Sequence, residues 1–118
     1  MINQETIIAL ATPNGLGAIS VIRVSGKDAI LITDKLFRSK KNKVLSDQKS
    51  HTVHLGHLLK NNREIDEVLI TLFKGPHSYT GEDTIEISCH GSTYIQKEII
   101  NLYLDNGIRS ANPGEFTL

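Results

Sequence analysis

Residues 84–107 read TIEISCHGSTYIQKEIINLYLDNG, and two periodicities follow one another within them. From Thr84 to His90 the residues alternate. Ile85, Ile87 and Cys89 fall on one side and Thr84, Glu86, Ser88 and His90 on the other, the period of a strand that buries one face. Gly91-Ser92 breaks that run. Ile95, Ile99, Leu102 and Tyr103 then recur at helical spacing until Asn106-Gly107, and Thr93 with Gln96 has the spacing of a capping box.

Working outward, Thr6 to Thr12 reads as a buried strand stopped by Pro13-Asn14-Gly15. Ala18 to Val24 carries β-branched residues on both parities, which predicts a central strand covered on both faces. Ala29, Ile30, Ile32, Thr33, Leu36 and Phe37 predict a helix running to about Arg38, and the lysine-rich stretch from Ser39 to Ser50 an exposed loop. His51 to Leu59 and Ile65 to Lys74 are strand-like and should pair antiparallel across the five polar residues Lys60 to Glu64. Gly75 to Asp83 (GPHSYTGED) is a loop longer than a plain turn requires, and Ile108 to Ala111 is suited to one more short strand. Hairpins mixed with crossovers predict an α+β fold, a mixed sheet with two helices, in which 1–118 form one domain. The chain stops at Glu115-Phe116-Thr117-Leu118 with no polar tail, so a piece of a longer polypeptide is expected.

The 118 residues carry 13 Lys plus Arg against 13 Asp plus Glu, and this zero net charge excludes a general electrostatic grip on nucleic acid. With no tryptophan, three Phe and three Tyr, there are few platforms on which bases could stack, so direct RNA contacts are expected elsewhere. A single cysteine excludes a disulfide framework, and no apolar run reaches the ~18 residues of a membrane helix. No targeting segment is evident, and a cytoplasmic, non-membrane protein is expected.

Several motifs fail on chemistry. Gly15-Leu16-Gly17 begins a dinucleotide fingerprint, but Ser20 replaces its third glycine and a strand follows where a helix should. No phosphate-cradling G-x-x-x-x-G-K-[ST] occurs. His51, His54 and His57 cannot converge on one metal if they lie on a strand, because His54 points the other way. The same alternation separates the Cys89 thiol from His90. Two residues resist dismissal. Arg23 lies within the apolar strand on the parity of Ile19 and Val21, so its guanidinium pairs with an acid of its own chain, reaches water at a strand end, or clamps a ligand anion. Glu86 is centred on the polar face of its strand, either solvated or ready to accept two parallel N–H donors from a planar heterocycle such as a pterin or a guanine-like ring.

Three stretches taken in order, TIIALATPNGLGAISVIRVSG, GPHSYTGEDTIEISCHG and ANPGEF, resemble the amino-terminal domain of the MnmE (TrmE) family of tRNA modification GTPases. The resemblance implies a fold like the folate-binding module of the glycine-cleavage T-protein, a bound tetrahydrofolate derivative (5-formyl- or 5,10-methylene-tetrahydrofolate), and homodimerisation. It places Arg23 and Glu86 at the folate-contacting arginine and glutamate, with a third contact, a lysine, beyond Leu118. Leu16, Ala18 and Ser20 depart from the arginine and glycines usual in the first loop. For the parent protein it implies GTP with Mg and K ions bound outside this segment. It also implies an FAD-dependent partner, MnmG or GidA, and tRNA as substrate, modified at C5 of the wobble uridine by an aminomethyl or carboxymethylaminomethyl group. No catalytic residue is expected within the segment. The competing readings are a dimerisation module without ligand and a freestanding one-carbon transferase, for which no acid–base pair is evident.

Overall fold

The computed structural model describes residues 5–12, 18–76 and 81–116. In chain order these form β1 (Ile7–Leu10), β2 (Ile19–Ser25), α1 (Ala29–Leu36), β3 (Phe37–Ser39), a 3-10 turn (Leu45–Asp47), β4 (Thr52–Lys60), β5 (Arg63–Phe73), β6 (Thr84–His90), α2 (Thr93–Leu104) and β7 (Arg109–Ser110). The strands make one mixed sheet in the order β3-β4-β5-β6-β2-β1-β7, antiparallel throughout except that β7 runs parallel to β1. The expected α+β class is thus the observed one. The motif GLG and residues 77–80 of the long loop lie outside the described residues.

The core lies between the sheet and its two helices. Ile22 and Val24 of β2, Val68, Ile70 and Leu72 of β5, and Ile85 and Ile87 of β6 meet Ile30 and Leu36 of α1 and Ile99, Leu102 and Tyr103 of α2. Along β6 the alternation holds, with Ile85, Ile87 and Cys89 turned to the core. Along β2 the expectation of two covered faces does not hold. Ser20, Ile22 and Val24 are buried, whereas Ile19 is 66% exposed and Val21 and Arg23 are half-buried. Its β-branched outward residues instead join Val53, Leu55 and Leu69 in an exposed apolar band on the sheet face opposite the helices.

Four features depart from the sequence reading, each for a local reason. The first helix ends at Leu36, because Phe37 turns extended and pairs with Leu58 of β4. Its ring fills the space over Gly56, where a Cβ would stand 2.6 Å from it. The presumed loop after it is pinned down by Leu45, fully buried, whose N–H, like that of Ser46, donates to the Asp34 carboxylate. The β4–β5 connection is two residues rather than five. Asn61 and Asn62 take φ of 51° and 64°, the left-handed pair of a type I′ hairpin, which asparagine tolerates well. At α2 the cap is Ser92 rather than Thr93, its hydroxyl accepting from the Ile95 N–H at 3.1 Å. Gln96 is consequently not part of a capping box; it is buried and donates to Ser20 Oγ of β2.

A buried polar contact ties the two helices. Thr33 Oγ1 donates to the Ala29 carbonyl at 2.7 Å, so its single proton is spent and the Tyr103 hydroxyl, 2.8 Å away, donates to Thr33. Burial pushes the Tyr103 phenol well above its ordinary range. Thr33→Val strands the Tyr103 hydroxyl and should cost about 1–3 kcal/mol in urea unfolding, more than the ~1 kcal/mol of Tyr103→Phe, which removes the donor along with its bond. Above pH ~10 the unfolded chain ionises this phenol and the folded chain does not, so stability falls as pH rises, a slope that Tyr103→Phe should reduce.

Candidate functional site

In the antiparallel register of β2 and β6, Arg23 stands directly opposite Glu86. Both side chains emerge on the open face, about a quarter exposed, at 26% and 28%. Arg23 Nε donates to Glu86 Oε2 at 2.9 Å, and Nη2 reaches the same oxygen at 2.8 Å. Among the described residues no donor is directed at Oε1. The guanidinium thus fixes the carboxylate in orientation while leaving it accepting capacity. Thr71 of β5 and Ala9 of β1 extend the row on either side, the small Ala9 flanking Arg23. Of the roles open to Arg23 from sequence, pairing with an acid of its own chain is the observed one, and that acid is Glu86.

The third quoted stretch, ANPGEF, reaches this pair as well. Phe116 places its ring 5.8 Å from the Arg23 guanidinium carbon, within cation–π range. Its position depends on the turn Asn112–Glu115. Glu115 takes a two-pronged grip from Arg109 and accepts the Asn112 N–H, while Arg109 Nε also donates to Glu5 at 3.1 Å. β7 therefore carries the turn to β1 and hence to the sheet row that holds Arg23. At the loop's base, Asp83 accepts the Gly75 N–H on its side chain and the Gly26 N–H on its backbone carbonyl, both at 2.9 Å. Gly26 itself is obligatory, with φ 141° and a Cβ position 2.6 Å from Thr6 Cα. Phe116 and Arg109 were not singled out from the sequence. Their signal lay in the proximity of PGEF to an unexplained arginine, visible once β7 pairs with β1.

The histidines and the cysteine lie apart from one another. His54 is buried on the helix side of β4, where burial and then the Lys43 charge hold its imidazole below the ordinary range. His57 is on the open face between Glu64, at 3.1 Å, and Glu67, at 3.5 Å, and His51 stacks edge-on against Phe73. Cys89 is buried, its thiol pushed up to about 11 by burial and then by the Asp66 carboxylate, and is no nucleophile at neutral pH. His90 faces away from it, its Nδ1 2.6 Å from Asp66 Oδ1.

The family described as GTP-binding protein TrmE N-terminus matches residues 6–118. The tRNA modification GTPase MnmE of Flavobacterium johnsoniae is 64% identical over 118 residues, all of this chain and 25% of that protein. Its counterpart in Flavobacterium psychrophilum is 58% identical over 118 residues, 100% of this chain and 26% of that protein. That of Bacteroides thetaiotaomicron is 53% identical over 116 residues, 98% of this chain and 25% of that protein. The chain thus spans about a quarter of the length of these curated relatives. It belongs to the TrmE N-terminus family, the amino-terminal domain of tRNA modification GTPases of the MnmE type.

Proposed function

We propose that the chain is the tetrahydrofolate-binding and self-association domain of a longer tRNA modification GTPase. The observation that carries the folate reading is the Glu86 carboxylate, held by Arg23 through one oxygen on an open sheet face. A pterin is planar and presents neighbouring N–H groups, which suit a carboxylate so oriented, and Arg23 with Phe116 supplies a flat, cationic flank. When bound, the 5-formyl- or methylene-tetrahydrofolate supplies the one-carbon unit. Within this chain Glu86 accepts the ring's N–H donors, Arg23 keeps the carboxylate aligned, and the Arg109–Glu115 turn keeps Phe116 in place. GTP with its Mg and K ions, the flavin-dependent MnmG partner and C5 chemistry at the wobble uridine belong to the rest of that cytoplasmic enzyme.

The apolar band formed by Ile19, Val53, Leu55 and Leu69 supports self-association, since a contiguous exposed apolar face on a sheet is a surface that water disfavours. No helix of the described residues is long and apolar enough to cross a membrane, and a second copy is the occupant proposed for the band.

Calorimetric titration of 5-formyl-tetrahydrofolate should show binding that Glu86→Gln weakens by about tenfold to a hundredfold, the worth of a charge-assisted hydrogen bond. Circular dichroism should be unchanged, because the pair is on the open face of the sheet and the core, not this contact, holds the two strands in register. Undiminished affinity in the variant would remove Glu86 from the site, and no heat with the unaltered chain would end the folate reading. For the band, Leu69→Glu should convert a dimer to a monomer in light scattering while leaving the thermal unfolding midpoint within a few degrees; a persistent dimer would place the interface elsewhere.

A further inference from the structure

The Asp66 carboxylate is committed to a single residue. Only 9% exposed, it accepts the His90 backbone N–H on Oδ2 at 2.9 Å, and its Oδ1 is 2.6 Å from His90 Nδ1. A carboxylate only accepts, so Nδ1 holds the proton and the lone pair of the neutral imidazole is on Nε2. Two contacts fix the ring's orientation as well as its tautomer. Asp66 is on β5 and His90 at the end of β6, 24 positions apart, a pairing that spacing along the chain does not announce.

The ring held in this way is 68% exposed, and nothing among the described residues meets its Nε2. It borders a depression of about 260 Å³ on the open face, lined also by Ile19, Leu55, Glu67, Leu69 and Ser88. Ser88 is two residues before His90 on the same face of β6, about 7 Å away, and its hydroxyl is uncommitted among the described residues. A carbonyl group fits that interval, its carbon against Nε2 and its oxygen against the Ser88 hydroxyl. Asp66 and Glu67, the latter paired with Lys40 at 2.6 Å, put two carboxylates beside the ring and favour a neutral substrate over an anion. The three aliphatic side chains favour an apolar one.

We propose that His90 is a catalytic nucleophile toward neutral aryl esters, with Ser88 as the oxyanion donor and Asp66 as a positioning residue. Nε2 attacks the ester carbonyl carbon, the Ser88 hydroxyl donates to the oxygen that gains charge, and the bond to the aryl oxygen breaks to release a phenolate. Asp66 holds the Nδ1 proton and answers the positive charge that the acylated ring carries. Water then adds to the acyl carbon, the carboxylic acid leaves, and the ring's extra proton passes to solvent, which restores the neutral imidazole. His90 is four residues along β6 from Glu86, about 13 Å, so this site does not rest on folate binding.

The test is hydrolysis of p-nitrophenyl acetate, followed by release of nitrophenolate. Ile19, Leu55 and Leu69 are shared with the apolar band, so the chain is used below the concentration at which light scattering detects a second copy. It should hydrolyse the ester with saturation kinetics and about tenfold or more faster than free imidazole at the same concentration and pH. His90→Gln should reduce the rate to that of buffer, whereas His57→Gln, which removes the imidazole between Glu64 and Glu67 on the same face, should leave it unchanged. Asp66→Asn places an N–H donor opposite Nδ1 and moves the ring proton to Nε2, so kcat should fall by about a hundredfold with KM within about twofold; Ser88→Ala should lower kcat by about tenfold with KM likewise retained. Mass spectrometry after brief exposure to diethyl pyrocarbonate gives a second reading that needs no variant to fold: His90 should be modified faster than His51 and His57. A rate no higher than that of free imidazole, equal losses from His57→Gln and His90→Gln, or a His90 no more reactive than His51 would each overturn the proposal.

Discussion

The register between β2 and β6 is the constraint on which the site depends. It sets Arg23 against Glu86 and, on the opposite face, Ile22 beside Ile87, so one pairing fixes both the ion pair and part of the core. A slip of one residue would send Ile22 and Val24 to water and bring Arg23 under the helices, a change of several kcal/mol in burial alone. The core thus selects the register, and the register delivers the carboxylate and guanidinium to the same side. The ion pair need contribute little to stability to be held accurately.

Much of this was legible in the residues. The alternation from Thr84 to His90 placed Glu86 outward and Ile85, Ile87 and Cys89 inward, and the helical stripe from Ile95 to Tyr103 located α2. Arg23 stood out because an arginine in a β-branched run demands an anion. What sequence could not supply was the pairing partner, since strand order is set by contacts between residues 63 positions apart. The misreading of β2 as covered on both faces has the same origin. β-branched residues suit a pleated strand whether or not a second layer lies over it, so Ile19 and Val21 announce a strand without saying what faces them. Phe37 misled in another way: its apolar spacing fits a helix, but the space above Gly56, in a strand nineteen residues later, decides its conformation.

The two ends of the site are supported unequally. Glu86 is on a central strand with hydrogen-bonded neighbours on both sides, and its position follows from the core. Phe116 depends instead on a chain of polar contacts from β7 through Arg109 and Glu115, with Glu5 as a second anchor. Polar links of this kind at a sheet margin open at lower free energy than a buried strand. The aromatic flank can therefore rearrange around an incoming ligand while the carboxylate stays fixed, which gives the site one rigid wall and one adjustable wall.

The parallel pairing of β7 with β1 also orders events in time. β1 is the first strand to be synthesised and lies between β2 and β7, so its outer edge stays unpaired until Arg109 and Ser110 arrive. A chain emerging from the ribosome can assemble the β4–β5–β6 meander from neighbouring stretches, but must carry an open edge on β1 until Arg109 and Ser110 are made. That edge is a place where two nascent chains can pair wrongly, and the two residues of β7 cover its Ile7–Ile8 half.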